Sequence, residues 1–90
     1  MDNTLILQEL ESLAVQLGVE LRYEALEEGS GGLCRYKGRL CLIANRELRL
    51  AERIRLLSRE LGRLPLEGVF VRPSVRQLLE APGTSLPRQR

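Results

Sequence analysis

The sequence has no histidine, no tryptophan and few aromatic residues: Tyr23, Tyr36 and Phe70 are all there are. Histidine is the usual general base at neutral pH and the commonest metal ligand, so its absence excludes the familiar nucleophile–histidine pairs and histidine-based metal centres. The shortage of aromatic rings argues against a protein that binds nucleic acid by stacking bases on them.

Long apolar runs are also missing, and no stretch approaches the ~20 residues that span a bilayer. Residues 1–4 lack the basic residues with which a secretory signal begins. The two cysteines, Cys34 and Cys41, are too few for the disulfide framework of a small secreted domain. Together these features predict a cytoplasmic protein.

Charge of either sign is not in excess: 14 basic and 12 acidic residues leave a formal charge of +2. Such a balance gives no strong drive toward nucleic acid or a membrane. All but one of the 14 basic residues are arginine, with Lys37 the exception. This bias is typical of a GC-rich genome, and we expect a bacterial source. Alternatively, it indicates selection for bidentate binding of carboxylates or other anions.

With 90 residues the chain has room for one hydrophobic core. We expect a single domain over residues 1–81. Residues 82–90 combine two prolines, a glycine and a basic end, which predicts a flexible C-terminal tail.

Apolar residues spaced by three and four predict amphipathic helices over residues 4–17 and 49–63. Pro65 ends the second helix, and Pro73 or Ser74 begins a short third one. The expected core positions are Ile6, Leu10, Leu13, Ala14 and Leu17 in the first helix, Leu50, Ile54, Leu57, Leu61 and Leu64 in the second, and Val75, Leu78 and Leu79 in the third.

Alternation of apolar and polar residues predicts a strand over 19–25, and two further strands follow over 33–37 and 39–44. The last is apolar on both faces, which favours a central strand covered on both sides. The order indicates an α+β fold: an N-terminal helix, a three-stranded antiparallel sheet, a long second helix and a short C-terminal helix.

A tight hairpin turn is expected at Lys37-Gly38, because glycine suits the second position of such a turn. A two-residue loop places Cys34 opposite Cys41 and Tyr36 opposite Arg39. The glycine-rich stretch 27–32 lies between two expected strands and begins with two glutamates that repel phosphate. It therefore predicts a hairpin connection rather than a nucleotide site.

The segment Arg59-Glu60-Leu61-Gly62-Arg63 has the spacing of the zinc-protease motif H-E-x-x-H, in which two histidines on one helix face bind the metal. Together with Ile43-Ala44-Asn45, it resembles the core of the ImmA/IrrE-type metallopeptidases over residues 4–64. That resemblance implies a helix–sheet–helix scaffold with the glutamate as general base.

Arginine occupies both histidine positions of this motif. A guanidinium stays protonated at physiological pH and has no lone pair for zinc. We therefore expect no metal, no cofactor and no enzymatic activity, and a degenerate zincin-like scaffold, or pseudoenzyme. Glu60 is expected to pair with Arg63 or Arg53 on a solvated helix face. Alternatively, a degenerate site binds an anion or carboxylate.

Two other surfaces are candidate sites. Arg55, Arg59 and Arg63 are spaced by four on one helix face and indicate a solvated face, a protein-binding surface or a weak phosphate-binding surface. Cys34 and Cys41 either pack as small apolar residues or form a redox- or metal-responsive pair, although two thiolates supply only half of a tetrahedral zinc site.

The sequence thus favours a non-catalytic protein-interaction or regulatory module. Its alternatives are a thiol-based metal or redox sensor and an arginine-rich nucleic-acid accessory protein. We expect the chain to bind a protein partner or to form a homo-oligomer. Binding to nucleic acid or to a membrane is not expected. Leu48, Leu56 and Leu66 lie off the core stripe and are candidates for a self-association surface.

Overall fold

The structure, a computed structural model, describes residues 2–84. Within these residues, three helices and three strands form an α+β fold. They are α1 (Asn3–Gln16), β1 (Glu20–Glu24), β2 (Gly31–Tyr36), β3 (Arg39–Asn45), α2 (Leu50–Leu61) and α3 (Pro73–Thr84). The expected contrast between a long second helix and a short C-terminal helix is wrong, because both have 12 residues.

Helix α1 begins where the sequence provides a cap and ends before a glycine. The Asp2 carboxylate accepts a hydrogen bond from the Leu5 backbone N–H at 2.9 Å, which satisfies one of the free amides of the first turn. Gly18 follows the helix with a φ of +76°, a left-handed conformation that favours glycine. The buried face carries Leu7, Leu10, Leu13 and Ala14.

Strands β2 and β3 form the expected hairpin. Lys37 and Gly38 both have positive φ, +53° and +79°, as the favoured two-residue hairpin turn requires. The antiparallel register pairs Cys34 with Cys41 and Tyr36 with Arg39, which confirms the predicted register.

The prediction of an antiparallel sheet is wrong for β1. The strand order is β1-β3-β2, and β1 runs parallel to β3, so the sheet is mixed. The hairpin turn leaves one edge of β3 free, and β1 pairs with that edge in the same direction. The stretch 27–32 therefore connects β1 and β2, which are not neighbours in the sheet, and the expectation of a hairpin connection there is wrong. Gly31 lies so close to β3 that a Cβ there would clash with the Ile43 backbone.

The hydrophobic core lies on one face of the sheet. Leu42 and Ala44 of the central strand β3 are fully buried in a cluster with the apolar faces of all three helices. The central position of β3 is therefore as predicted, although both long helices lie on one face of the sheet instead of one on each. In residues 2–84, α1 and α2 contact the sheet and each other on the same side.

Two leucines of α2 differ from the predicted stripe. Leu50 is exposed, whereas Leu56, predicted to lie on the surface, is buried with Leu57 and Leu61. Leu48 and Leu66 are half-buried against the core. The leucine surface proposed for self-association is thus largely part of the monomer's own core.

Helix α3 packs on α2 through buried Val75 and Leu79, as expected. It continues to Thr84, past the predicted start of the tail at residue 82. The rest of that predicted tail, 85–90, lies outside the described residues. Within the described part, no helix is long and apolar enough to cross a membrane.

Candidate functional site

Glu60 is a buried carboxylate in the contact between α2 and the edge strand β2. The residue is only 5% exposed. Its Oε1 accepts a hydrogen bond from the backbone N–H of Leu33 at 3.3 Å. Since β3 occupies the other edge of β2, this bond satisfies an amide on the strand's outer edge and ties the strand to the helix.

The two arginines of the R-E-x-x-R motif close on the same carboxylate. Arg59 Nε donates to Glu60 Oε2 at 3.0 Å, and Arg63 Nη1 donates to Oε1 at 3.2 Å. Both guanidiniums remain partly in solvent, while the carboxylate is almost fully covered. Such charge-assisted bonds compensate the loss of water around a buried carboxylate.

The prediction that Glu60 lies on a solvated face is therefore wrong, although its pairing with Arg63 is confirmed. The sequence did contain a signal for burial. Leu56 and Leu57 precede Glu60 by one helical turn, and Leu64 follows it by one, so the glutamate lies on the leucine-rich side of the helix.

The other expected partner, Arg53, makes different contacts. Its Nε donates to the Leu48 carbonyl and its Nη2 to the Arg46 carbonyl, both at 3.0 Å. The guanidinium also lies 5.0 Å from the centre of the Tyr23 ring. Arg53 thus fastens the turn that leads from the sheet into α2.

Asn45, the asparagine of the metallopeptidase-like segment, anchors a loop. Its Nδ2 donates to the Gly29 carbonyl at 3.0 Å and to the Leu26 carbonyl at 3.4 Å. Its Oδ1 accepts from the Glu47 backbone N–H at 3.1 Å. This holds the segment 26–30 against the end of β3 and beside α2.

A cleft of about 160 Å³ opens between that loop and α2. Arg55 projects from the exposed face of α2 and forms no ion pair with any described residue. No pattern of residues indicates this cleft, because it forms only where the loop meets the helix. Its lining residues are Ser30, Leu48, Glu52, Arg55, Leu56 and Arg59.

Two arginines of α3 and the turn before it form ion pairs away from the row Arg55, Arg59 and Arg63. Arg72 bonds Glu9 on α1 at 3.3 Å, and Arg76 lies 3.9 Å from Glu80 one turn along α3. Of the row Arg55, Arg59 and Arg63, the last two are committed to Glu60.

The two thiols face each other across the hairpin, with Cys34 exposed and Cys41 buried. Burial raises the pKa of the Cys41 thiol, and the neighbouring Cys34 and Glu20 add to the rise, while Arg22 opposes it. Because the thiolate is the reactive form, the inner thiol is kept in its less reactive state.

Tyr23 and Glu11 form a polar contact that sequence reasoning missed. The Tyr23 hydroxyl donates to Glu11 Oε2 at 2.6 Å, linking β1 to α1. Burial and this carboxylate raise the pKa of Tyr23, against a smaller opposing effect of Arg53. The contact positions a strand and a helix.

Zinc does not fit the residues at the motif. Both ligand positions carry guanidiniums that donate to Glu60, and a guanidinium has no lone pair to offer a metal. Among the described residues, moreover, no three histidine, cysteine, aspartate or glutamate side chains cluster closely enough to hold a metal ion.

The sequence matches no family model, no curated protein and no solved structure.

Proposed function

We propose that the chain is a non-catalytic protein-interaction module on a degenerate zincin-like scaffold. The observation that carries this proposal is the state of Glu60, the one motif residue that could act as a general base. Its carboxylate is buried and accepts three hydrogen bonds, from Leu33, Arg59 and Arg63.

A carboxylate in this position is poorly suited to acid–base chemistry. A general base must reach the proton that it removes directly or through one water molecule. Both oxygens of Glu60 instead hold protein donors, and the two arginines stabilise the charged form that makes those bonds. The geometry favours a fastening between helix and edge strand over a reactive group.

A protein partner is favoured over nucleic acid by the arrangement of the arginines. Arg59 and Arg63 pair with Glu60, so Arg55 is the arginine of the row that pairs with no described residue, and it lies beside a partly apolar cleft. Binding to a nucleic-acid backbone calls for several free cations in line, since its affinity grows with the number of phosphates neutralised. One arginine beside an apolar cleft suits a protein surface better.

The non-catalytic part is tested by incubating the purified chain with zinc and a mixed peptide library, followed by mass spectrometry. The proposal expects no cleavage above that of Glu60→Gln, with or without a chelator. Cleavage that a chelator and Glu60→Gln both abolish would contradict it.

The interaction part is tested by quantitative affinity capture with the wild type, Arg55→Glu and the matched variant Arg76→Glu on α3. A specific partner should be retained by the wild type and by Arg76→Glu and lost from Arg55→Glu. Equal recovery of the partner with all three proteins would show that the cleft beside Arg55 is not the binding surface.

A thiol-based switch is the second candidate, because Cys34 lies directly opposite Cys41 and is open to oxidants. Hydrogen peroxide would convert the two thiols to one disulfide and be reduced to water. Peptide mapping after mild peroxide treatment tests this. A 34–41 disulfide formed ahead of overoxidation supports the switch, and two unlinked thiols eliminate it.

A further inference from the structure

We infer that the cleft beside α2 binds the C-terminal residue of a partner polypeptide, through its free carboxylate and an aliphatic side chain. This inference rests on the proposed protein-interaction function and names the chemistry of the partner. It derives from the lining of the cleft, which combines two leucines with two arginines and a hydroxyl.

The arginine side of the cleft has N–H groups that are available to a ligand. Arg59 donates its Nε–H to Glu60, and its two terminal nitrogens form no hydrogen bond with the described residues. Arg55 forms no hydrogen bond with any of these residues either. The two guanidiniums are four residues apart on one helix face, where their side chains are neighbours. A carboxylate between them accepts charge-assisted hydrogen bonds from both, and Ser30, which also lines the cleft, carries a hydroxyl as a further donor.

The charge of the cleft favours a ligand with a single negative charge. Glu52 adds a negative charge to the lining, and its Oε1 accepts a hydrogen bond from the Arg49 backbone N–H at 2.8 Å. A phosphate group carries nearly two negative charges at neutral pH, so Glu52 repels it more strongly than it repels a carboxylate. The buried Glu60 behind Arg59 adds to that discrimination.

The size of the cleft limits the ligand to about one residue. Its volume of about 160 Å³ is close to that of cavities known to accept a benzene ring. Pockets for nucleotide- or drug-sized ligands are larger, roughly 300–1,000 Å³. One leucine- or valine-sized side chain can rest on the half-buried Leu48 while the rest of its chain leaves through the open side.

The C-terminal residue of a polypeptide can contact the arginine side and the leucine side of the cleft at the same time. In a C-terminal leucine, the carboxylate and the aliphatic side chain branch from the same Cα, so each can reach its own wall. An aspartate or glutamate side chain has no aliphatic branch next to its carboxylate, and a free amino acid brings an ammonium group toward the arginines. We therefore assign the ligand to a polypeptide terminus.

The test is a backbone ¹H–¹⁵N NMR titration of the full chain with four probes: N-acetyl-leucine, N-acetyl-leucinamide, an eight-residue peptide ending in a free leucine carboxylate, and its C-terminal amide. The two acids should shift the resonances of Ser30, Leu48 and Arg55, with the peptide acid the tighter. Each amide should bind at least tenfold more weakly than its acid, the factor that about 1.4 kcal/mol represents.

Matched variants locate the binding. Arg55→Gln removes an unpaired guanidinium and should weaken binding of the peptide acid at least tenfold, whereas Arg76→Gln should leave it unchanged. Equal binding of acid and amide, no binding of either acid, or shifts confined to another surface would each overturn the inference. Binding of N-acetyl-leucine without binding of the peptide acid would overturn the assignment to a partner.

These outcomes separate the inference from the proposed function beneath it. Chelator-sensitive peptide cleavage refutes the non-catalytic proposal whatever the titration shows. Absence of carboxylate binding, in a chain that cleaves nothing and still captures a partner, refutes only the assignment of the ligand.

Discussion

The Leu33 backbone N–H and the Glu60 carboxylate are joined by a 3.3 Å hydrogen bond between residues 27 positions apart in the chain. The bond places an acidic side chain against the outer edge of β2, where an unpaired amide would otherwise face solvent or another strand. Arg59 and Arg63 then cover the carboxylate from the solvent side. A charged motif thus serves as a connection between helix and sheet.

Replacing Glu60 should lower the stability of the fold. Glu60→Gln keeps the shape of the side chain but removes its charge, and it sets a side-chain amide against two guanidinium donors. We expect the free energy of unfolding in urea to fall by about 1–3 kcal/mol. The matched control is Glu80→Gln on the surface of α3, whose ion pair with Arg76 spans 3.9 Å and should contribute less than about 0.5 kcal/mol. Equal effects would mean that Glu60 behaves as a surface residue.

Ser58 is a buried polar residue whose hydroxyl finds no hydrogen-bond partner among the described residues. Ser58→Ala removes this unsatisfied group and replaces it with a better helix former, so we expect stability to rise by about 1 kcal/mol. Ser12→Ala, on the exposed side of α1, should gain only the helix-propensity difference of roughly 0.5 kcal/mol. A loss of stability in Ser58→Ala would show that the hydroxyl is satisfied in solution.

Gly62 allows α3 to approach the end of α2. A Cβ at this position would lie 2.4 Å from the Leu79 carbonyl oxygen and 2.9 Å from that of Ser58, and both are backbone atoms. Gly62→Ala should therefore cost about 1–3 kcal/mol by forcing the helices apart. Gly32→Ala is the control, because its Cβ would meet nothing closer than Glu60 Oε1 at 3.9 Å. Equal stability of the two variants in thermal unfolding would show that α3 does not approach α2 this closely at Gly62.

Alkaline pH should destabilise the fold. The pKa of Cys41 is raised in the folded state, mainly by burial, above an ordinary value of 9.0. The pKa of Tyr23 is also raised, by burial and by Glu11. Above about pH 9 the unfolded chain releases these protons and the folded chain retains them, so the free energy of unfolding decreases as pH rises. Cys41→Ala should decrease less steeply than the wild type in urea titrations from about pH 8 to about pH 10; identical slopes would contradict this.

The hairpin could be predicted from the sequence because its information is local. Glycine at the second turn position fixed a two-residue loop at Lys37-Gly38, and the loop length fixed the register, including Cys34 opposite Cys41. The direction and neighbour of β1 were not predictable in this way. Alternation of apolar and polar residues along a strand indicates which face is buried, but it does not specify which strand pairs with it or in which direction.

The candidate site was only half predictable for a similar reason. The spacing of Arg59, Glu60 and Arg63 identified the group, and the charge of Glu60 suggested solvent, because charged residues are rarely buried unless paired. Its partners include the amide of Leu33, which reaches it only after β2 has packed on α2. The cleft depends on the loop held by Asn45 and has no signature in the order of residues.

Amide hydrogen exchange tests the fastening role of Glu60 most directly. The N–H groups of Leu33 and Arg35 both point away from β3, because alternate residues of an edge strand face outward. Only that of Leu33 has an acceptor in Glu60. We expect Leu33 to exchange at least tenfold more slowly than Arg35 after correction for intrinsic rates, and Glu60→Ala to abolish the difference. Equal exchange of the two amides in the wild-type chain would contradict the account.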